Sequence, residues 1–511
     1  MIVKINSVGL SGLQGFSIQA ETAVSMGIPT WEMVGLPDAA VKESKERIRT
    51  AIKQAGFEIP GKRIVVNLAP ADIKKEGAFL DLPIAMGILA SSEQLVIPDV
   101  EKSAFFGELS LNGELRGIKG ALPMTITAYQ NGITKIFLPV ENAEEAAVVA
   151  GVQVYGVRNL EELIGHFQGT EEILPTEIDI DALFRQAAEC GLDFSEVKGQ
   201  KGAKRAIEVA AAGGHNVLLI GPPGSGKTML AQRIPSILPD LNFDEALEVT
   251  KVHSIAGKIK KNQAIVLTRP FRSPHHTVSA VGLTGGGTNP KPGEVSLAHH
   301  GVLFLDELPE FRKDALEILR QPLEDGTVTI TRASGTYSYP CNMMLIASMN
   351  PCPCGYYGDR NHECSCEPGK IRKYLSKVSG PLLDRIDLHI EVPAVPYDEL
   401  EQKKENAETS AEIKKRINKA RMLQNKRYEG RGIFSNAQLT AGMIEEFCSL
   451  TPDGSMLLKQ AFESLGLSAR AHNRILKVAR TIADLAESET IGAEHIAEAI
   501  QYRSLDRKFW S

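Results

Sequence analysis

The sequence predicts an α/β chain in three parts: an α+β N-terminal domain, a central α/β core on a parallel sheet, and a C-terminal helical lid. Three observations predict it. Up to about residue 170, short β-like runs (KRIVVNLAP, KIFLPV, VQVYGV) are separated by helical segments. Between 185 and 395, apolar strand runs (HNVLLIG, GVLFLDE, MMLIASMN) alternate with helical segments, the pattern of a parallel sheet with crossover helices. From 396 on, Glu, Lys, Ala and Leu recur at helical spacing with few strand signals. The expected division is therefore 1–170, a linker over 171–184 in the acidic stretch TEEILPTEIDIDALF, 185–395, and 396–511.

Bulk composition sets limits. At 511 residues the chain exceeds one core. It is 43% hydrophobic and 23% charged, as globular chains are, and its net charge of −6 excludes a uniformly basic coat while permitting a local basic channel. The start, MIVKINSVGLSGLQGF, lacks a basic segment followed by an apolar one, and no long apolar run follows, so neither signal peptide nor membrane span is expected. Of seven cysteines, four lie within 352–366. An odd count without a signal points to a reducing, cytoplasmic setting and to metal or structural thiols rather than disulfides.

In the N-terminal region, KEGAFLDLPIA (75–85), FFGELSLNGELRGIKGALP (105–123) and ITKIFLPVENAEEA (133–146) resemble consecutive segments of the Lon protease domain. That resemblance implies a Lon-like fold. A Ser–Lys dyad needs a hydroxyl and an amine in hydrogen-bond reach. Matched position by position, the serine is Phe79 and the lysine is Leu122; Lys119, three residues away, points elsewhere. Neither phenyl nor isobutyl can attack or accept a proton, so no active protease is expected. The region is read as a ring scaffold, a docking element or a DNA-facing collar.

The core opens on VLLIGPPGSGKTML (217–230). Gly221, Gly226, Lys227 and Thr228 fit the phosphate-binding G-x-x-x-x-G-K-[ST] pattern between a strand and a helix. Gly221, Pro222, Pro223, Gly224, Ser225 and Gly226 form the loop, whose glycines would let backbone N–H groups close around phosphates; Lys227 would reach the β- and γ-phosphates, and Thr228 would hold Mg2+. GVLFLDELPEF (301–311) ends a buried strand in two carboxylates: Asp306 for Mg2+ and Glu307 to polarise water. MMLIASMNP (343–351) ends a third strand at Asn350, placed to sense the γ-phosphate or the attacking water. ATP and Mg2+ are the expected cofactors.

Directly after Asn350, PCPCGYYGDRNHECSC carries Cys352, Cys354, Cys364 and Cys366 with His362 nearby. Four close thiolates can surround one Zn2+, although C-x-C pairs are tighter than the usual C-x-x-C. Structural Zn2+, reduced thiols in a loop and a redox pair all stay open here. RPFRSPHHTVSAVGLTGGGTNPKPGE (269–294) reads as a loop insertion and TVTITRASGTYSYP (327–340) as a hairpin turning at Ala333-Ser334-Gly335. Lys291, Arg332 and Tyr337 are candidates for phosphate or base contacts. KKRINKARMLQNKR (414–427) is basic, but Ile413, Ile417 and Ala420 form a helical stripe, so it is read as a solvated helix face.

Residues 185–395 resemble an AAA+ ATPase of the Mg-chelatase-like class. SGPLLDRIDLHIEV (379–392) is similar to that class's arginine-finger segment, which implies that Arg385 projects into a neighbouring subunit's ATP. A salt bridge to Asp384 or Asp387 is the plainer alternative. GLSARAHNRILKVARTIADLA (466–486) resembles the sensor-2 helix, which implies a γ-phosphate contact by Arg470, with Arg474 as the second choice. FSEVKGQKGAKRAIEVAAAGGHNVLLIGPPGSGKTML, the 271–307 segment and NPCPCGYYGD together resemble the YifB/ComM family, Mg-chelatase-like bacterial proteins linked to natural transformation, over essentially the whole chain. The resemblance implies a hexameric, ATP-driven DNA helicase that promotes branch migration, with single-stranded and branched DNA as partners. A metal-chelatase-type or protein-remodelling chaperone is the alternative. The N-terminal region is expected to set the chain apart from the chelatase subunit.

Overall fold

The computed structural model describes residues 2–186, 191–261, 263–287, 289–332, 335–359, 362–396, 399, 407–465, 468–505 and 509. The chain divides into two compact units. The first comprises Met1–Gln186, Phe243–Leu267 and Thr331–Ser338; the second comprises Ala187–Asn242, Thr268–Ile330 and Tyr339–Ser511.

In the first unit, β1 (Ile2–Ser11) and β2 (Gln14–Ser25) form a long antiparallel hairpin, Ser11 opposite Gln14, with Gly12 supplying a positive φ at the turn. With β3 (Trp31–Val34), β4 (Arg63–Ala69), β5 (Ser103–Phe105), β6 (Lys135–Pro139) and β7 (Gln153–Val157) they make one sheet, ordered β3-β4-β2-β1-β5-β6-β7. Pairing is parallel from β1 through β5 and β6 to β7, and antiparallel along β1-β2-β4. Side chains alternate between the sheet's faces. One core gathers Ile5, Ile18, Val66, Leu68 and Ile84; the other gathers Val8, Met124, Ile136 and Leu138.

The opening segment of the Lon resemblance is a pivot between these cores. Gly77, at φ 102, turns the chain into a 3₁₀ turn over Ala78–Leu80, and the Asp81–Ser91 helix follows, buried on nearly every face. Phe79 packs against both cores. Leu122 is buried in the Ala121–Gln130 helix, and its N–H donates to Glu145 Oε1 at 2.9 Å. Lys119 lies against Gly257, where a Cβ would sit 2.6 Å from Lys119 Cε. The linker is partly structured: Thr176 N–H donates to Val154 O at 2.7 Å, and Ile180–Gln186 is helical. The Phe243–Ala256 helix, which the sequence places in the core region, packs in this unit, where Ser254 Oγ donates to Glu145.

The second unit contains β8 (Val217–Ile220), β9 (Phe271–Arg272), β10 (Val302–Leu305), the first four residues of β11 (Thr327–Arg332), the last two of β12 (Gly335–Pro340), β13 (Met344–Met349) and β14 (Leu388–Glu391). Five of them form an all-parallel sheet ordered β9-β10-β13-β8-β14; β11 and β12 form the separate hairpin. Central strands β8 and β10 are buried at every residue, as strands covered on both faces must be. The hairpin's turn residues Ala333 and Ser334 lie outside the described residues. The segment 269–294, expected as a loop, contributes edge strand β9, a short helix Ala280–Thr284 and a two-residue ribbon pairing Gly286 with Lys291.

The helical lid shares the core of this unit. Thr409 caps the Ser410–Arg427 helix in a reciprocal capping box with Glu412. Ile413, Ile417 and Ala420 bury its stripe beside Ile475, Val478 and Ile482 of the Ala469–Leu485 helix. The basic residues of 414–427 meet acidic ones: Lys414 with Asp240 at 2.5 Å, Arg416 with Glu208 at 2.5 Å, and Arg427 with Asp484 at 2.6 Å.

Candidate nucleotide site at the carboxyl ends of three strands

Parallel pairing sets the site. Ile220 lies opposite Met349 and Leu305 opposite Ala347, so the loops after β8, β10 and β13 leave from one edge of the sheet. In such sheets this edge receives ligands. Gly221 is required by close approach, since a Cβ there would sit 2.1 Å from Val392 O. Gly224 (φ 76) and Gly226 (φ 90) are required by backbone conformation, and both would face open space. The loop thus has room on the side where phosphates would lie.

Lys227 starts the Lys227–Arg233 helix, and its Nζ donates to Gly221 O and Pro222 O at 2.8 Å each and to Asn350 Oδ1 at 3.2 Å. Burial pulls its ammonium down to about 8 despite the opposing charges of Asp306 and Glu307. Thr228 Oγ1 donates to Asp306 Oδ2 at 2.8 Å. Ser348 Oγ donates to the other oxygen, Asp306 Oδ1. Ser225 Oγ is buried and has no hydrogen-bond partner among the described residues. An orphaned hydroxyl, an open cradle and a buried amine are what a polyphosphate would satisfy, and the Thr228–Asp306 pair presents the hard oxygen donors that Mg2+ takes. The residues present fit MgATP.

Glu307 follows at φ 54, ψ 48, a left-handed conformation that costs a non-glycine residue energy. His276 Nδ1 lies 3.3 Å from Glu307 Oε2. Sequence reasoning missed three neighbours. Ser348 shares the β13 face of Asn350 by i, i+2 alternation, a signal readable in the polar S and N of IASMN. His276 lies in the SPHHT stretch, read only as part of an insertion. Gln200, within the quoted GQKGAKRA, donates to Ser225 O at 3.2 Å and Pro393 O at 2.6 Å, bracing the phosphate loop from behind.

Hydrogen bonds bring together Lys227, Thr228, Asp306 and Asn350. Arg385 and Arg470 make none to that cluster among the described residues. Arg385 meets Glu324 and donates to Pro381 O at 2.5 Å, so its partner is neither Asp384 nor Asp387. Arg470 and Arg474 both approach Asp384 at 3.6 Å, Arg470 exposed and Arg474 with its side chain 13% exposed. These arginines gather around the Asp384–Arg385 turn.

The loop after Asn350 folds its four cysteines together. Sγ–Sγ distances are 3.3 Å for Cys352–Cys354, 3.7 Å for Cys352–Cys364 and 3.6 Å for Cys354–Cys364. All four sulfurs, Cys366 included, lie within 4.8 Å of one another. His362 stacks instead on Tyr356. Gly355 rests on the phosphate loop, where a Cβ would sit 2.5 Å from Pro223 Cδ. Lys291 and Arg332 are exposed and Tyr337 half-buried. Arg332 Nη1 donates to Thr331 O at 3.1 Å. Among the described residues no helix is long and apolar enough to cross a membrane.

Comparison with known proteins places this geometry in context. Residues 193–400 match the family model "Magnesium chelatase, subunit ChlI", 407–503 its C-terminal counterpart, and 20–142 "Subunit ChlI of Mg-chelatase". The magnesium-chelatase subunit ChlI of Guillardia theta is 26% identical over 237 residues, 41% of this chain and 60% of that one. The chain is 44% identical over 497 residues to competence protein ComM of Haemophilus influenzae, covering 97% of this chain and 96% of that one. It is 43% identical over 498 residues to YifB of Escherichia coli, at the same coverage. A partial match, 27% identical over 161 residues, joins 30% of this chain to 28% of Lon protease 2 of Bacillus subtilis.

Proposed function

Because this chain belongs to the ComM/YifB family, whose core is Mg-chelatase-like AAA+, we propose that it is a ring-forming, ATP-dependent DNA motor. In this reading it acts as a hexameric helicase promoting branch migration in recombination and natural transformation, in the cytoplasm. What supports the ATP half is the pair of hydrogen bonds Thr228–Asp306 and Lys227–Asn350, which link the three strand-end motifs. The DNA half rests on the relationship to the competence protein, with Lys291, Arg332 and Tyr337 as the proposed contacts.

The residues divide the work as follows. The backbone of Gly221, Pro222, Pro223, Gly224, Ser225 and Gly226, with Lys227, holds the phosphates. Thr228 and Asp306 hold Mg2+, which when bound offsets charge on the phosphate oxygens. Glu307 orients the attacking water and accepts its proton at a carboxylate oxygen. Asn350 reports on the γ-phosphate, trading its bond to Lys227 for one to the nucleotide. Arg385 completes the site of a neighbouring subunit, which requires it to leave Glu324, and Arg470 closes the lid on the γ-phosphate. The proposed division is a Lon-like scaffold over 1–170, an ATPase core over 185–395 and a lid over 396–511. Phe79 and Leu122, both in packing roles, support a scaffold without proteolysis.

The four cysteines are proposed to hold a structural Zn2+. Tetrahedral coordination at about 2.3 Å puts thiolate sulfurs about 3.8 Å apart, close to the three distances above. The ion would stiffen the loop between Asn350 and Arg385.

Hydrolysis of ATP with and without single-stranded and branched DNA tests the motor reading. A chelatase-type or protein-remodelling role, favoured by the names of the matching family models, would give robust hydrolysis indifferent to DNA.

A further inference from the structure

Glu307 carries more conformational restraint than the proposed mechanism explains. Its backbone is left-handed, and its side chain is 60% exposed, so neither rotamer packing nor burial fixes the carboxylate. Among the described residues, His276 Nδ1 approaches it at 3.3 Å. His276 is itself held: its ring lies 4.0 Å from that of His275, which bonds Thr277 Oγ1 at 2.9 Å, and it meets Phe311 edge-on at 6.4 Å. The loop bearing it leaves β9, which pairs with β10, the strand that leads into Asp306 and Glu307. A short rigid path therefore connects the imidazole to the carboxylate.

We infer that His276 is a positioning residue for Glu307: its Nδ1–H holds one carboxylate oxygen so that the other is presented to the attacking water. The same loop continues into the Ala280–Thr284 helix and the ribbon carrying Lys291. The orientation of Glu307 is thus tied to the insertion assigned above to nucleic acid. The inference rests on the reading of Glu307 as the residue that orients water.

His276→Phe keeps a ring against His275 and Phe311 but removes the donor; His276→Asn keeps a donor near the Nδ1 position. Both are compared with wild type and Glu307→Gln for kcat, KM for ATP and nucleotide affinity, without DNA. The expected result is a roughly tenfold lower kcat for His276→Phe at unchanged KM and affinity, with most of the rate restored in His276→Asn. Wild-type kcat in His276→Phe overturns the inference. So does an equal loss in both variants, or a loss that appears in KM and affinity, since each marks a packing role. If His276→Phe does not fold, His276→Asn against His276→Ala gives the same contrast. Wild-type hydrolysis by Glu307→Gln would instead overturn the reading of Glu307 itself.

Discussion

Thr228 Oγ1 and Asp306 Oδ2 are hydrogen-bonded at 2.8 Å although 78 residues separate them. One lies in the first turn of the helix after β8 and the other directly follows β10, and β13 lies between those strands. Ser348 on β13 takes up the remaining oxygen of Asp306. Both oxygens of the carboxylate are therefore held, and in the proposed mechanism this aims it before Mg2+ arrives.

That preorganisation makes Thr228 sensitive to isosteric change. Thr228→Val keeps the shape and removes the hydroxyl, leaving Asp306 Oδ2 without its donor. ATP hydrolysis at saturating nucleotide should fall by about 10²-fold or more, and raising Mg2+ should recover part of it. Lys227→Ala should bind nucleotide weakly and hydrolyse at background. Titration of Mg2+ in steady-state assays checks both; a Mg2+ response identical to wild type in Thr228→Val would count against the assigned role.

The cysteine cluster predicts close to one equivalent of zinc in protein purified without added metal. Substituting Co2+ should give the absorption of tetrahedral thiolate coordination, and Cys364→Ser should lose the metal and lower the thermal midpoint. Content below about half an equivalent, or retention of zinc by Cys364→Ser, would leave reduced thiols or a redox pair as the better account.

Asp81 predicts a pH-dependent stability in the first unit. It sits buried at the start of its helix with Arg47 at 2.8 and 3.1 Å and the Leu109 N–H at 3.2 Å. Burial outweighs these partners and pushes its carboxyl up to about 6. The folded state therefore binds a proton more tightly than the unfolded one. The favourable contribution is present below the unfolded value near 4 and is lost as pH rises to about 6. Asp81→Asn, which cannot ionise, should gain stability relative to wild type between pH 4.5 and pH 7, by about 3 kcal/mol at most. Thermal midpoints of the two proteins at those pH values check the sign; a relative loss for Asp81→Asn on going to pH 7 would reverse it.

Much of the site was legible because each motif is local. Gly221 to Thr228, Asp306-Glu307 and Asn350 each follow a short apolar run that reads as a covered strand and is one. The parallel sheet follows from the same runs. What stayed hidden depends on chain path. Glu324 meets Arg385 across 61 residues, and nothing in either neighbourhood announces it. The Phe243–Ala256 helix joins the first unit through Ser254 and Glu145, a bond 109 residues long in sequence. Strand β9 is two residues in a Gly-, Pro- and His-rich stretch, too short for any periodicity to register, yet it places His276 beside Glu307.

The central claim is that hydrolysis at this site drives work on DNA. Its most direct measurement is ATP turnover by the purified chain with no DNA, single-stranded DNA and a branched junction, run beside Glu307→Gln. The account predicts turnover raised severalfold by DNA, most by the branched substrate, and abolished in Glu307→Gln under every condition. Turnover in wild type that is robust and unchanged by either DNA would contradict it.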